Sequence, residues 1–322
     1  MREAIIVLNL NHIGDVLFTE PAIAALRAGY PMAHLIVITS LTAHEVLKHH
    51  PDIDELWTRE RGMRGWWKLV KRLRRLRPAI VVNFSPSSAG LALAAWLSGA
   101  PLRFGFAVRP ILPHLFTMAL PFHPERHVTH DYLALAEAAG GKAVRCLPQV
   151  FLQPDECKWG RKWLLEQGWD GAVPLLGCHP FSSIPRKEWA LEQFVKLLHW
   201  AQDEMGWLPI VFGNAVEGSR ANFLAEQVSG IAAAGRLSLR QFISVAAHCA
   251  GFIGGDSGPV HIAAALGVPT LALFGPTDPN RTRPLGERVI VIRSPTGQMD
   301  ALSIAAVKEA LYQLCSPSLD QG

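Results

Sequence analysis

The sequence predicts an α/β protein built of two doubly wound domains. Three features of the 322-residue chain point there. Its apolar runs are short, rich in β-branched residues and not alternating, the pattern of strands buried on both faces of a parallel sheet. They alternate with helical patterns, as strand–helix–strand crossovers require. The alternation stops near residue 150 and then restarts.

In the first half, "AIIVLNL" (4–10) reads as a strand, "NHIGD" (11–15) as a loop, and the residues to about Tyr30 as a helix. "HLIVITS" (34–40) is a second strand, ended by a polar segment. "WWKLVKRLRRLRP" (66–78) is helical and "AIVVNFS" (79–85) a strand. After "CLPQVFLQPDE" (146–156), "PLLGCHP" (174–180) is a strand, "LEQFVKLLHWAQDE" (191–204) a helix, "LPIVFGN" (208–214) a strand and "SRANFLAEQV" (219–228) a helix. Then come helix "LRQFISVAAHC" (239–249), strand "GFIGGD" (251–256), helix "GPVHIAAALG" (258–267), strand "TLALFGP" (270–276) and a last helix over about 301–315. The expectation is two Rossmann-like domains, 1–150 and 151–322, facing across a cleft. Ligands of such sheets bind at the carboxyl ends of the strands.

Composition bounds the function class. About half the residues are apolar, and the 18% charged share is below the usual ~25%. The amino-terminal apolar run is short and lacks a small-residue cleavage site, so no signal peptide is expected. No apolar stretch reaches the ~20 residues of a spanning helix. Five scattered cysteines without a CxxC pair predict reduced thiols in a cytoplasmic protein. Charge is uneven: residues 1–150 hold 17 Lys+Arg against 11 Asp+Glu (+6), and residues 151–322 hold 14 against 16 (−2). A basic front half suits an anionic partner.

The stretch "GGDSGPVHIAAA" (254–265) lies where a predicted strand meets a predicted helix. Free N–H groups and the helix dipole favour anions at such a corner. Gly255 and Gly258 permit tight turning and close approach of a ligand. Ser257 supplies a hydroxyl donor, and His261 follows on the first helical turn. Asp256 repels a phosphate, so it orients the loop or accepts from a sugar hydroxyl. An ordinary helix cap explains Asp or Ser there equally well, and a packed helix histidine explains His261.

"GGDSGPVHIAAALGVPTLALFGPTDPNRTRPLG" resembles the C-terminal signature of family 9 glycosyltransferases, the lipopolysaccharide heptosyltransferases. "NHIGDVLFTEPAIAALR" resembles the family's Gly-Asp loop and following helix, "ERHVTHDYLALAEAAG" the segment closing its first domain, and "HPFSSIPRKEWALEQFVKLL" its middle motif. The resemblance implies a B-type glycosyltransferase fold and inverting transfer from a nucleotide-activated heptose, usually ADP-heptose, to a lipopolysaccharide core. The acceptor would bind mostly in the N-terminal domain and the donor mostly in the C-terminal one. No cofactor, metal or nucleic acid is implied. One departure stands out: the family's Gly after His-Pro is Phe181 here, and its phenyl ring is expected to narrow the phosphate loop or shift its backbone.

The resemblance assigns roles. Gly14-Asp15 matches the Gly-Asp pair, making Asp15 the catalytic base; an acid just after the first strand is ionised at neutral pH and able to take an acceptor proton. The alternative is a helix N-cap. Lys187 matches the lysine that meets the donor phosphates, where a cation replaces a metal. Ser182 and Ser183 match hydroxyl positions of that loop. Glu217 matches a glutamate that accepts from the ribose. "DID" (52–54) spells a metal-binding DxD but sits in a turn before a strand and is read as a solvated loop. His123, His127 and His130 are too loosely spaced for a metal set.

The segment 61–77 carries Trp66, Leu69, Val70, Leu73 and Leu76 on one helical face, and seven Lys or Arg from Arg64 to Arg77 lie mainly elsewhere. It reads as a helix packed on the sheet with a solvated basic side. It also reads as a patch for anionic lipid headgroups, placing the protein peripherally on the inner membrane face, or for acceptor phosphates. A nicotinamide dehydrogenase is excluded, since no GxGxxG follows a predicted strand; no Walker motif is present either. A sugar-nucleotide epimerase of the same architecture and a non-catalytic sugar-nucleotide binder are the rival readings.

Overall fold

The computed structural model describes residues 3–110 and 112–315, and the chain divides into two compact units, Met1–Phe151 and Leu152–Gly322. The first runs β1 (Ala4–Asn9), α1 (Ile13–Gly29), β2 (His34–Thr39), α2 (Leu41–Leu47), β3 (Glu55–Thr58), α3 (Gly62–Leu76), β4 (Ile80–Asn83), α4 (Ala89–Leu97), β5 (Leu102–Phe106), β6 (Met118–Leu120) and α5 (Val128–Ala138). Its six strands form one parallel sheet in the order β3-β2-β1-β4-β5-β6. Val7 of the central strand lies opposite Val37 on one side and Val82 on the other.

The uninterrupted apolar strands follow from burial on both faces. Successive side chains alternate between faces, and here each face has its own core. Ile5, Val7, Val37 and Val82 pack with Phe18, Ile23 and Leu26 of α1, Leu47 of α2 and Leu135 of α5. Ile6, Leu8, Ile36, Ile38 and Val81 pack with Trp66, Leu69, Val70 and Leu73 of α3 and Leu91 of α4. The apolar face read in 66–76 therefore lies against the sheet.

The second unit runs α6 (Pro154–Glu166), β7 (Leu175–His179), α7 (Leu191–Met205), β8 (Leu208–Val211), α8 (Gly218–Gln227), β9 (Ile231–Ala232), α9 (Leu239–Ala246), β10 (Gly251–Gly255), α10 (Gly258–Ala265), β11 (Thr270–Phe274), α11 (Pro279–Thr282), β12 (Val289–Arg293) and α12 (Ile304–Cys315). Its parallel order β12-β11-β10-β7-β8-β9 repeats that of the first sheet. In each, the chain reverses direction across the sheet between its first and fourth strands. A ligand crevice is expected at the carboxyl ends there.

Four expectations are corrected. The loop after β1 is shorter than read: Ile13, Gly14 and Asp15 form the first turn of α1, with His12 at the N-cap. Asp15 is thus not an N-cap. The polar segment after the second strand contains α2, capped by Ser40, whose Oγ accepts from Ala43 N–H. The last helix begins at Ile304, after a separate 3-10 turn at Met299–Ala301. The Phe181 ring turns into the core and away from the loop it was expected to narrow. It is fully buried in the core beneath β7, edge-on to His179 at 5.9 Å.

The two metal-like patterns have structural partners. Asp54 pairs with Arg27 and accepts from Leu35 N–H, which holds its carboxyl below the ordinary range although burial pushes the other way. The buried carboxylate of Asp131 accepts from Arg126 at 2.7 Å and contacts His123 Nδ1 at 2.9 Å, while His127 Nδ1 accepts from Thr129 N–H at the start of α5. All five cysteines are free thiols. Burial pushes Cys178 and Cys249 up, the latter to about 12, so both are inert at neutral pH.

Candidate active site

In the second unit the carboxyl ends of β7, β8, β10 and β11 bring most of the marked residues together around two hubs. The first is Asp256, just beyond β10. Lys187 Nζ donates to its Oδ2 at 2.7 Å and Thr277 Oγ1 donates to the same oxygen at 2.9 Å, while His261 Nε2 lies 3.6 Å from Oδ1. Burial pushes this carboxyl up; the His261 imidazole and the Lys187 ammonium outweigh burial and hold it at about 2. Of the two roles weighed for Asp256, loop orientation has these contacts behind it: the carboxylate ties the loops after β7 and β11 to the start of α10. Lys187 spends one N–H on Asp256 and keeps two for another anion.

The second hub is His179, the last residue of β7. Its Nδ1 is 3.3 Å from Ser257 Oγ, and its Nε2 lies 3.7 Å from Glu217 Oε2. Glu217 stands at the N-cap of α8 and accepts from Asn214 N–H at 2.8 Å. Burial pushes the Glu217 carboxyl up, but His179 and the Asn214 N–H hold it below the ordinary carboxylate range. Sequence reasoning missed His179. Its signal was position, near the carboxyl end of the predicted strand 174–180.

The middle motif is a loop held at both ends. Phe181 and Trp189 are buried, and Trp189 packs edge-on against Phe194 at 5.2 Å. Glu188 accepts from Ser182 N–H at 2.9 Å and from Arg220 at 2.7 Å, while Ser182 Oγ accepts from Ile184 N–H at 3.2 Å. The stretch Ser183–Arg186 between these anchors is exposed. Two glycines let strand and loop approach. A Cβ on Gly254 would come within 2.5 Å of the His179 carbonyl oxygen, and one on Gly255 within 3.1 Å of the Lys187 carbonyl oxygen. At Gly258 α10 begins, with Ser257 as N-cap and Pro259 in the first turn.

In the first unit, Gly14 and Asp15 lie in the first turn of α1, where the helix dipole favours a carboxylate. The preceding loop is pinned to the end of β4: Leu10 N–H donates to Ser85 Oγ at 2.9 Å and Asn11 Nδ2 to the Phe84 carbonyl at 2.8 Å. Asp15 therefore sits at the reversal point of its own sheet, as the Asp256 and His179 hubs do in theirs.

A family model, "Glycosyltransferase family 9 (heptosyltransferase)", matches residues 66–311. The chain belongs to this family. Among family members, the lipopolysaccharide heptosyltransferase 2 of Escherichia coli K12 is 28% identical over 317 residues, covering 91% of this chain and 88% of that one. The lipopolysaccharide heptosyltransferase 1 of Pseudomonas aeruginosa is 26% identical, covering 90% and 83%. The solved E. coli ADP-heptose lps heptosyltransferase II has a TM-score of 0.82 at 25% identity, with 98% of each chain covered. A family 9 glycosyltransferase from Veillonella parvula reaches 0.88 at 22% identity and shares the fold. The UDP-GlcNAc 2-epimerase of Methanocaldococcus jannaschii, at 0.56 and 13%, shares the architecture more distantly. Two six-stranded parallel sheets, each flanked by helices, thus make a B-type glycosyltransferase fold. The family match begins at Trp66 and so leaves Gly14 and Asp15 outside it.

Proposed function

We propose that the protein is an inverting heptosyltransferase that moves a heptose from ADP-heptose to the lipopolysaccharide inner core in the cytoplasm. The observation that carries this is the likeness, over about nine-tenths of the chain, to lipopolysaccharide heptosyltransferases. A homologous solved structure, "E. coli heptosyltransferase WaaC with ADP", supports a nucleotide-sugar donor. The acceptor hydroxyl oxygen attacks the anomeric carbon, the bond from that carbon to the phosphate oxygen breaks, and ADP leaves. Asp15 takes the hydroxyl proton. The two remaining N–H donors of Lys187, the hydroxyls of Ser182, Ser183 and Ser257 and the amino end of α10 at Gly258 receive the charge that grows on the diphosphate. Glu217 accepts from the ribose, and His261 holds Asp256 in place from the same helical turn.

The test is direct. Purified protein with ADP-heptose and a heptose-free core acceptor should release ADP and add one heptosyl unit to the acceptor by mass spectrometry. Sugar isomerisation with donor alone would favour the epimerase, and donor binding without turnover the non-catalytic reading. Because Lys187 and the helix end supply the positive charge, activity should persist on metal-stripped enzyme in EDTA; a loss restored by Mg²⁺ or Mn²⁺ would reject that expectation.

Glu217→Ala tests the donor site. A hydrogen bond to a charged group contributes about 1.5–3 kcal/mol, so ADP should bind at least about tenfold more weakly by calorimetry. An unchanged dissociation constant would remove Glu217 from the site.

A further inference from the structure

Helices α3 and α4 pack side by side on one face of the N-terminal sheet, and their outer surface is unusual in two ways. It is strongly basic, and its own helices carry no acid. From Arg61 to Pro124 the sequence has ten Lys or Arg and no Asp or Glu. Arg72 is engaged, with Cζ 3.1 Å from the Trp57 ring centroid and Nη2 4.0 Å from Glu55 Oε2, and Lys68 pairs with Glu60 at 2.8 Å. Among the described residues, no carboxylate lies within ion-pair distance of Arg64, Lys71, Arg74 or Arg75, all exposed.

The same two helices also expose large apolar side chains. Met63 is 70% exposed, Trp67 and Trp96 50% each, and Leu93 37%. The two helices that carry these side chains touch each other. The Trp66 indole N–H donates to the Gly90 carbonyl at 2.7 Å, and Trp67 lies edge-on to Trp66 at 4.8 Å. From Gly90, residues Leu93 and Trp96 follow at three-residue spacing along the outer side of α4. Exposed indoles beside unpaired cations are the pattern of an interfacial anchor.

We propose that the α3–α4 face docks the protein on an anionic lipid bilayer, with Trp67 and Trp96 entering the headgroup region and Arg64, Lys71, Arg74 and Arg75 meeting lipid phosphates. Charge complementarity selects this occupant. An anionic leaflet presents one sign of charge over its whole surface, matching two helices that carry four unpaired cations and no acid. The apolar stripe of α3 plays no part, since Trp66, Leu69, Val70 and Leu73 are buried on the sheet. No helix among the described residues is long and apolar enough to cross a membrane. The contact is therefore superficial and salt-sensitive. It goes beyond the transfer reaction and rests on the N-terminal unit alone.

Sedimentation of the full chain with vesicles tests it, using phosphatidylcholine alone and phosphatidylcholine with about 30% phosphatidylglycerol, an anionic fraction sufficient for the surface potential argued here. The protein should pellet with the anionic vesicles at low salt and stay in solution with the neutral ones. Each cation at such a surface is worth about fivefold in affinity. The triple variant Lys71→Glu, Arg74→Glu, Arg75→Glu should therefore bind about a hundredfold more weakly or worse. Trp67→Ser with Trp96→Ser should weaken binding about fivefold or more at unchanged charge. Lys158→Glu with Lys162→Glu, exposed on α6 of the other unit, should bind as wild type. All altered side chains are exposed, and circular dichroism checks the fold. Equal binding to both vesicles, no binding to the anionic ones, wild-type binding by either α3–α4 variant, or an equal loss in the α6 control would overturn the proposal.

Discussion

Lys187→Ala is expected to lower kcat by about 10²–10³, the usual cost of removing one pre-placed electrostatic partner of a developing charge. It should also destabilise the second unit. Lys187 and Asp256 meet at 2.7 Å with side chains only 17% and 10% exposed. Removing the cation leaves a mostly buried carboxylate with Thr277 and His261 as its remaining partners. Breaking a fully buried pair costs about 3–5 kcal/mol, and the surviving contacts bring the expected loss to the low end of that range.

The double variant Lys187→Ala, Asp256→Asn separates the two effects. With the orphan charge gone, the melting temperature should recover in part while turnover stays low. Recovery of turnover as well would mean that Lys187 acts only by neutralising Asp256. The acid limb of the stability curve gives an independent check. The Asp256 carboxyl is held at about 2 against an ordinary 3.8, so its contribution is fully present above pH 3.8 and disappears as pH falls through 2. Without Lys187 the carboxyl rises toward its ordinary value. Acid unfolding of the single variant should therefore begin at higher pH than in the wild type.

The fold was readable because both sheets hide their strands on two faces. "AIIVLNL" and "HLIVITS" cannot alternate when each face has its own core, and that absence of alternation marks a parallel sheet. What was not read has physical reasons. Strand β9 has two residues, too few for any periodicity. Helix α4 is apolar nearly all round and shows little helical stripe until the sheet and α3 are placed against it. Helix α2 is short and owes its start to the Ser40 cap.

At the candidate site, the motif residues were visible as residues but not as contacts. Nothing in "HPFSS" says that Phe181 turns into the core while His179 turns to Ser257 and Glu217, because strand direction and register set both. The link from Lys187 to Asp256 spans 69 positions and exists only because β7 and β10 are neighbours at the reversal of the sheet.

Asp15→Asn should lower kcat by about 10²-fold or more, the contribution of a positioned general base, with ADP affinity nearly unchanged. The reasoning starts from the place of the residue. Asp15 is the third residue of α1, beyond the His12 N-cap, and the loop before it is tied to Ser85 and Phe84 at the end of β4. Asparagine keeps the size of the side chain and a carbonyl oxygen but removes the charge and the proton acceptor. In the first turn of a helix a carboxylate contributes about 0.3–1 kcal/mol through the dipole. The amide gives up that contribution but keeps a carbonyl acceptor in place, so a shift of a few degrees is expected in a unit of this size. The two roles thus predict different pairs of numbers. A base loses two or more decades of turnover with a small thermal shift; a purely structural acid shows the same small shift and near-normal turnover. ADP titration on the same sample keeps the donor side as an internal control, because the residues proposed to hold ADP lie in the other unit. A variant that melts within a few degrees of wild type, binds ADP as before and transfers heptose at a comparable rate would show that Asp15 is not the base.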